Sequence, residues 1–297
     1  MVAHGIDLDV FEEHRSVLMG VAYRMLGAFA DAEDVVQDTW LRWSAADRER
    51  VRDPRGYLVR IATRLSLDRL RQTQARREAY VGSWLPEPLA TDVLGESLPD
   101  SSERALLDES VTLAMLVVME SLSPLERAVF VLREAFGFPY AEIGAMLDRS
   151  DEAVRQLAGR ARRHVTQRKP RYDVDSAEQR DITERFLEAA SGGDMDGLMA
   201  LLAPDVDVIS DTGGKARAPR RVINGADNTA RLFIGGARGV YEVADPELVF
   251  REINGQPGLL VLSKGEPDTV MVPQFRDGRI ARIYVMRNPD KLRGVRT

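Results

Sequence analysis

The amino-acid sequence contains no cysteine and only three histidines among its 297 residues. The lack of cysteine excludes disulfide bonds, thiolate metal sites and cysteine nucleophiles, and it suits a reducing compartment. His4, His14 and His164 are too few for a histidine metal cluster to be expected. We therefore expect neither a metal site nor another cofactor.

Long apolar runs and export signals are also missing. The longest apolar runs, such as Leu113–Met119, are far shorter than the ~20 residues that cross a membrane. The start of the chain, Met1–Asp9, has neither a basic segment nor an apolar core followed by a cleavage site. We expect a soluble protein that stays in the cytoplasm.

Acidic residues slightly outnumber basic ones, and the formal net charge is −6. Any surface that binds nucleic acid must therefore be a basic patch confined to part of the molecule.

At about 150 residues per domain, the length predicts two domains. Two breaks in the hydrophobic pattern, at 82–102 and near 166–176, are interpreted as linkers because they contain proline and other helix-breaking residues. They leave three blocks, residues 10–81, 103–165 and 177–297.

The first two blocks carry the apolar spacing of amphipathic helices. One predicted helix has an apolar stripe formed by Ala32, Val35, Val36, Thr39, Trp40 and Trp43. Asp53-Pro54 and Ser123-Pro124 each combine an N-cap residue with a proline at the first helical position, and so predict two helix starts. Both blocks are predicted to be all-helical.

The third block changes from helix to strand. Apolar residues at helical spacing between Ile182 and Ala190 are followed by several runs rich in β-forming residues. These runs are Val206–Ile209, Leu248–Ile253, Leu259–Leu262, Val270–Phe275 and Arg279–Val285. Asp277-Gly278, between the last two runs, is typical of a tight hairpin turn. The block is predicted to be an α+β domain.

Arginine is concentrated in two segments. Residues 48–77 hold ten Arg against three acids, and residues 148–171 hold seven Arg and one Lys against three acids. Two separate basic patches are typical of a protein that contacts the phosphate backbone of a nucleic acid at two places. Arginine forms paired hydrogen bonds to phosphates and to base edges better than lysine does. For either patch, a solvated helix face is the alternative interpretation.

Tyr140–Leu147 and Asp151–Val165 are two predicted helices joined by Asp148–Ser150, which is the spacing of a helix-turn-helix. On the second helix the predicted core face consists of Val154, Leu157, Ala161 and Val165. The opposite face can offer Arg and Gln side chains to base edges in a DNA major groove. Two packed helices that bind no DNA are the alternative.

Several of these segments resemble a known family. Asp31–Trp43 and Asp53–Arg71 are similar to region 2 of the bacterial RNA polymerase sigma factors of the extracytoplasmic-function class. Ser123–Phe130 and the helix-turn-helix are similar to region 4 of the same factors. The matching segments keep the order and spacing of the family over most of residues 10–165.

Three further segments narrow the resemblance. Trp84–Pro88, Asp211–Lys215 and Asn288–Leu292 look like signature segments of the subgroup that contains sigma factor J. Members of this subgroup carry a SnoaL-like extension in place of a separate anti-sigma partner. Thr212 departs from the usual Asp-Gly-Gly-Gly-Lys sequence, and its β-carbon disfavours a positive φ. Because Trp84 would be an exposed hydrophobe in a free linker, we expect it to be buried against the last domain.

The resemblance implies a multidomain protein with two all-α sigma domains followed by an NTF2/SnoaL-like α+β cone domain. The expected limits are 1–81 for region 2, 82–102 for a linker, 103–169 for region 4, 170–176 for a second linker and 177–297 for the cone domain. Such a protein is not an enzyme. It binds core RNA polymerase and promoter DNA, and the fused domain regulates it. A small-molecule ligand of the cone domain is left open.

The resemblance also assigns candidate site residues. Contacts with core polymerase are expected at Asp31, Asp34, Gln37, Asp38 and Leu41. The strand-separated −10 promoter element is expected to be contacted by Arg52, Arg60, Arg64 and Arg71. The double-stranded −35 promoter element is expected to be contacted by Arg149, Arg155, Gln156, Arg160 and Arg163. Regulatory contacts between domains are expected at Trp84, Leu85, Pro86, Asp211, Gly213, Gly214, Lys215, Asn288, Pro289, Asp290, Lys291 and Leu292.

Two other functions stay open from the sequence. A helix-turn-helix repressor or activator with a ligand-sensing C-terminal domain would bind duplex DNA alone, but it would have no use for a second basic helical domain. An isomerase or cyclase would need acid–base groups, and the last domain has no histidine. Its candidate groups are Asp205, Asp207 and Asp211 with Tyr241 or Tyr284.

Overall fold

A computed structural model describes residues 3–47, 50–78, 80–91, 112–168, 175–239 and 243–295. These residues form two compact units. The first unit holds the described residues between 3 and 78 and between 115 and 168. The second unit holds those between 80 and 91, between 112 and 114, and between 175 and 295. Tyr241, one of the acid–base candidates, lies outside the described residues.

Residues 3–168 are helical wherever regular structure is described, apart from a single bridge residue in the linker. The helices are α1 (Ala3–Leu26), α2 (Phe29–Ser44), α3 (Pro54–Glu78), α4 (Leu113–Met119), α5 (Pro124–Phe130), α6 (Tyr140–Leu147) and α7 (Asp151–Arg168). A short π-helical segment, Val131–Ala135, continues α5 and was not predicted from the sequence. Helix α1 packs against α2 and α3, and α7 packs against α5 and α6.

The helix starts follow the local sequence. The backbone N–H of Gly56 donates to Asp53 Oδ1 over 3.0 Å, so Asp53 caps α3 as predicted. Ser123 and Glu126 form a reciprocal capping box at the start of α5, with Pro124 in the first turn. The predicted stripe of α2 is buried except at Trp40, which is half-buried and contacts the Phe11 ring edge-on at 5.1 Å.

Two buried arginines join the N-terminal helices of the first unit to the helices around the helix-turn-helix. Arg127 of α5 is 2% exposed; its Nε donates to the Arg24 carbonyl of α1 over 2.9 Å, and its Nη1 donates to Glu120 Oε1 over 2.9 Å. Arg24 is 1% exposed and lies over the Phe136 ring. Burial lowers the pKa of Arg24 to about 10 and that of Arg127 to about 9. The hydrogen bonds from Arg127, and the one from Arg24 Nη1 to the Gly20 carbonyl over 3.1 Å, offset part of the cost of burying the two guanidinium groups.

The second unit is α+β in its described part. Its helices are α8 (Ser176–Gly192), α9 (Met195–Leu201) and α10 (Ala226–Ala237). Its strands are β1 (Leu202–Asp211), β2 (Ile223–Asn224), β3 (Pro246–Ile253), β4 (Gln256–Ser263), β5 (Glu266–Arg276) and β6 (Arg279–Met286). They form one sheet in the order β2-β1-β6-β5-β4-β3, in which β1 runs parallel to β6 and the other neighbours are antiparallel.

The central strands of the sheet in the second unit are buried on both faces. One face packs against the three helices, with Phe186, Val208 and Ile283 at 0% exposure. The alternate residues Leu260 and Val272 point to the other face and are also fully buried. That second face is therefore shielded from solvent at these positions.

The antiparallel strands are joined by tight hairpins. The predicted turn at Asp277-Gly278 has φ of 53° and 70°, the left-handed pair that a two-residue type I′ turn requires. Asn254-Gly255 and Lys264-Gly265 have the same backbone signs, and each ends in the glycine that such turns favour.

The all-helical and α+β units have the fold class expected from the sequence. Within the described residues, no helix combines the length and the apolar character that spanning a bilayer demands.

We predict that Arg127→Ala destabilises the first unit by about 3–5 kcal/mol, because it removes a buried side chain together with its hydrogen bonds to the Arg24 carbonyl and to the half-buried Glu120 carboxylate. Arg15→Ala is the matched control, since Arg15 is exposed on α1 and surface changes cost about 0.5 kcal/mol or less. Urea unfolding followed by helical circular dichroism measures both. Equal midpoints for the two variants would contradict a structural role for Arg127.

Candidate nucleic-acid interface and regulatory site

The turn between α6 and α7 has the geometry of a helix-turn-helix. Asp148 ends α6 in a left-handed conformation with φ of 54°, and the Arg149 N–H donates to the Gly144 carbonyl over 2.9 Å. A β-carbon on Gly144 would lie 2.7 Å from the Arg149 carbonyl oxygen, so only glycine fits there. The Ala153 N–H donates to Ser150 Oγ over 3.2 Å, which caps α7.

Helix α7 turns one face inward and exposes the other. The predicted core residues Val154, Leu157, Ala161 and Val165 are buried, and Ala158 joins them. The side chains expected at the −35 element, Arg149, Arg155, Gln156, Arg160 and Arg163, are all exposed. The structure thus places the five candidates on the accessible surface of the second helix and its turn.

These exposed side chains differ in their partners. Arg155 pairs with Asp151 over 3.0 Å and lies over the Tyr140 ring, and Arg160 Nε donates to Glu126 Oε1 over 2.9 Å. Burial raises the pKa of Glu126, but hydrogen bonds from Ser123 and Arg160 outweigh it, so the net pKa is lowered. Gln156 and Arg163 make no hydrogen bond or ion pair within the part of the chain that the structure describes.

The candidates for the −10 element lie in different surroundings. Arg52 is exposed before α3, and Arg71 pairs with Asp68 over 3.1 Å. Arg64 donates to the Asp148 carboxylate and, over 3.1 Å, to the Met146 carbonyl.

Arg60 lies 3.6 Å from the same Asp148 carboxylate. Two of the four −10 candidates, Arg60 and Arg64, are therefore held by the turn of the helix-turn-helix. This contact joins the two basic patches in the first unit, and the sequence did not predict it.

The face of α2 expected to meet core polymerase is only partly open. Asp34, Gln37 and Leu41 are exposed, and Leu41 is 57% exposed despite being apolar. Asp31 and Asp38 are half-buried, because Arg69 of α3 donates to the Asp31 carbonyl over 2.6 Å and to Asp38 Oδ2 over 3.2 Å. Leu41 therefore presents an apolar side chain to solvent between the polar side chains of this face.

The second unit contains a buried ionic site that we call the latch. The latch consists of Tyr80, Trp84, Leu85, Asp211, Asn288 and Lys291. Its centre is the carboxylate of Asp211, which is 0% exposed. Oδ2 accepts from Lys291 Nζ and from the Leu85 N–H, both over 2.8 Å, and Oδ1 accepts from the Tyr80 hydroxyl. The Gly213 N–H also donates to Oδ1, over 3.1 Å.

Lys291 supplies the positive charge of the latch. Its ammonium group also donates to the Leu85 carbonyl over 2.7 Å and lies 3.0 Å from the centre of the Trp84 ring. Lys291 is 4% exposed, so this cation–π contact is shielded from water. Trp84 itself is half-buried, with the Tyr80 ring edge-on at 4.7 Å.

Tyr80 links the latch to the last signature segment. Asn288 Nδ2 donates to the Tyr80 oxygen over 2.8 Å, while the Tyr80 hydroxyl donates to Asp211. Burial, together with the hydrogen bond to the Asp211 carboxylate, raises the pKa of Tyr80 well above its usual value. The phenol therefore stays protonated as a donor.

The rest of the linker is also bound. Backbone hydrogen bonds run from the Ala90 N–H to the Gly294 carbonyl over 3.0 Å and from the Asn254 N–H to the Leu89 carbonyl over 2.8 Å. Asn254 Oδ1 accepts from the Leu89 N–H over 3.1 Å, and Thr91 Oγ1 donates to Glu252. Residues 80–91 thus belong to the folded part of the second unit.

The Asp211–Lys215 loop places its left-handed residues on glycine and not on Thr212. The positive φ values fall on Gly213, at 57°, and Gly214, at 75°, whereas Thr212 is not left-handed. Thr212 Oγ1 accepts from the Gly214 N–H over 3.2 Å. Lys215 then pairs with Asp290 at the surface.

The structure brings all three signature segments together and adds residues that sequence reasoning missed. Tyr80 and Asn254 were not singled out, although each supplies a hydrogen bond that holds the linker. An aromatic four residues before Trp84 was the available signal for Tyr80. The acid–base candidates Asp205 and Asp207 instead pair with Arg276 and Arg282.

No group of three or more His, Asp or Glu side chains is placed to hold a metal ion within the described ranges.

Comparison with known proteins agrees with these observations. Residues 10–77 match the Sigma-70 region 2 family, and residues 112–165 match the Sigma-70, region 4 family. The chain is 37% identical to the ECF RNA polymerase sigma factor SigJ of Mycobacterium tuberculosis, across 97% of this chain and 94% of that protein. It is 34% identical to the probable ECF RNA polymerase sigma factor SigI of the same species, across 94% and 92%.

A solved structure extends this similarity to the whole fold. The crystal structure of Mycobacterium tuberculosis SigJ has a TM-score of 0.75 and 33% identity to this chain, and the match covers 97% of this chain and 98% of that one.

We predict that Asp211→Asn opens the latch. The amide cannot balance the charge of buried Lys291, and breaking such a pair costs about 3–5 kcal/mol. Chymotrypsin should then cut after Tyr80, just before the linker, or after Trp84 within it, at least tenfold faster than in the unaltered chain.

Asp181→Asn is the control, because Asp181 is exposed on α8 and its pair with Arg185 is a surface contact. Equal cleavage rates for the two variants would show that Asp211 does not hold the linker.

Proposed function

The chain belongs to the extracytoplasmic-function family of RNA polymerase sigma factors, and from this premise we propose how its two units divide the work of starting transcription. As a sigma factor it binds core RNA polymerase and directs initiation at specific promoters. The helical unit carries the polymerase and promoter contacts, and the α+β unit regulates them. A sigma factor acts on polymerase at the chromosome, so we place the protein in the cytoplasm. The domain limits predicted from the sequence are part of this proposal.

The exposed face of α2 is proposed to dock on core polymerase. Leu41 supports this role because it is the large apolar side chain on that face and is 57% exposed. Asp34 and Gln37 add polar contacts around it. Arg69 fixes Asp38 and the backbone at Asp31, so these two residues shape the face from beneath.

The two basic patches are proposed to hold the two promoter elements. Gln156 and Arg163 are exposed and bind no other side chain in the described part of the structure. Both are therefore available to contact bases and phosphates of the −35 duplex. Arg52 is exposed for the opened −10 strand. Arg60 and Arg64 are held by Asp148, so the closed contact must break before they reach DNA.

Regulation is proposed to act through the latch. The observation that carries it is the docking of the linker between regions 2 and 4 on the α+β unit, around the buried Asp211–Lys291 pair. A linker held there is not free to follow the two regions as they move to separate promoter elements. We therefore propose that the docked linker restrains initiation and that its release permits it.

The alternatives from the sequence are less well supported. Asp211 is occupied by four donors inside the latch, so it is not poised to move a proton for an isomerase. We propose a binding and regulatory role for the α+β unit instead. A repressor would need no surface for binding polymerase. The region 2 match over residues 10–77 supports the presence of such a surface.

We predict that Leu41→Glu weakens binding to core RNA polymerase at least tenfold, because it places a charge in the apolar part of the contact. Met199→Glu is the control, since Met199 is 39% exposed on α9 of the α+β unit and is not part of the proposed contact. Fluorescence anisotropy of labelled protein with core enzyme measures both affinities. Equal binding by the two variants would rule out this face of α2.

Run-off transcription with core polymerase on a promoter library tests the regulatory role. We expect Asp211→Asn to raise initiation at least threefold over Asp181→Asn, because the linker is released while the promoter-binding residues stay intact. A chain that ends near residue 171 is compared in the same assay. No initiation and no core binding by any version would remove the sigma-factor assignment, and equal initiation would remove the role of the latch.

A further inference from the structure

The α+β unit contains a cavity of about 350 Å³, partly open to solvent, between α8, α10 and the helix-facing side of the sheet. Its wall is mainly apolar and includes Leu187, Phe233, Leu259, Val261, Met271 and Val285. Small-molecule sites commonly measure roughly 300–1,000 Å³ and are lined in this way. The cavity therefore has the size and surface of a site for a compact apolar molecule.

The polar groups in the described part of the wall are few, and the charged one, Arg287, is paired with a carboxylate that does not line the cavity. They are Ser191, Ser210, Thr269 and Arg287 within the described lining. Arg287 donates to the Asp268 carboxylate over 2.7 Å and to the Arg217 carbonyl over 2.6 Å, so its charge is balanced. An ionic ligand would lose its hydration here without gaining an unmatched counter-charge. An uncharged ligand fits the site better.

The chemistry of the wall favours binding over catalysis. None of the lining side chains within the described residues is an Asp, Glu or His, the groups that most often transfer protons. The paired carboxylates of Asp205 and Asp207 do not line the cavity.

The cavity and the latch share the ends of two strands. Ser210 faces the cavity and Asp211, the next residue, holds the linker. After β6, Arg287 faces the cavity and Asn288 binds Tyr80. The Arg287 N–H donates to the Asp211 carbonyl over 2.8 Å, which ties the two chain segments together. Because successive side chains of an extended chain point in opposite directions, the cavity and the latch lie on opposite sides of these strand ends.

We propose that this cavity binds an uncharged, compact apolar molecule and that its occupancy strengthens the latch. A ligand packed against Ser210 and Arg287 restricts the backbone that positions Asp211 and Asn288. A ligand that contacts this backbone in the docked arrangement binds that arrangement more tightly, so its binding favours the docked linker. The binding site itself does not depend on the proposed role in transcription.

Binding is tested on the full chain with N-phenyl-naphthylamine, an uncharged fluorescent probe, and with its anionic analogue anilinonaphthalene sulfonate. We expect saturable binding of one uncharged probe per chain and at least tenfold weaker binding of the sulfonate. The absence of one-site binding, or equal affinity for both probes, overturns the proposed site.

The location of the probe is tested by filling the cavity. Val261→Phe and Thr269→Phe both place a ring in the lining and should each weaken probe binding at least tenfold. Val222→Phe is the control, because Val222 is 40% exposed and does not line the cavity. Hydrogen exchange of the unaltered chain gives a second reading, since strand β5 should be protected by the probe. Binding that survives in both cavity variants and leaves β5 unprotected overturns the location.

Coupling to the latch is measured by hydrogen exchange at the amides of Leu85, Leu89 and Ala90. Saturating uncharged probe should slow their exchange at least threefold relative to Leu198 of α9, which does not line the cavity. Unchanged ratios overturn the coupling.

Linkage requires a reciprocal effect, so Asp211→Asn should weaken probe binding by a similar factor while Asp181→Asn does not. No polymerase is present in these assays, so their failure leaves the sigma-factor assignment standing.

Discussion

The buried contact between Asp211 and Lys291 is the interaction on which the arrangement of the α+β unit depends. One carboxylate accepts hydrogen bonds from the linker, from its own loop and from the C-terminal segment, which are far apart in the sequence. A buried charge pair is costly unless every donor and acceptor is satisfied. The contact therefore forms only when all three segments are in place, and it makes linker docking depend on the fold of the whole unit.

Local patterns predicted the fold well. The apolar stripes of α2 and α7, the caps at Asp53 and Ser123 and the hairpin at Asp277-Gly278 depend on neighbouring residues, so the sequence carries them directly. The resemblance likewise pointed to the three segments that meet in the latch. The roles assigned to individual site residues and the domain limits stay predictions.

The missed features depend on contacts over long sequence separations. Nothing near Arg64 indicates that its partner is Asp148, and nothing near Tyr80 indicates Asp211, because both pairs form only after distant helices or strands pack. The cavity is invisible to sequence patterns for the same reason, since its wall draws on helices and strands throughout the unit. Neighbouring residues thus determine the helices and turns, whereas ionic contacts between residues far apart in the sequence determine which basic and linker residues are exposed and which are bound.

Hydrogen exchange of residues 80–91, measured in the free protein and again in its complex with core RNA polymerase, tests the central claim most directly. We predict that the Leu85, Leu89 and Ala90 amides are protected from exchange in the free protein and lose this protection in the polymerase complex. Fast exchange at these amides in the free protein would contradict the docked linker. Equal protection in both states would contradict its release.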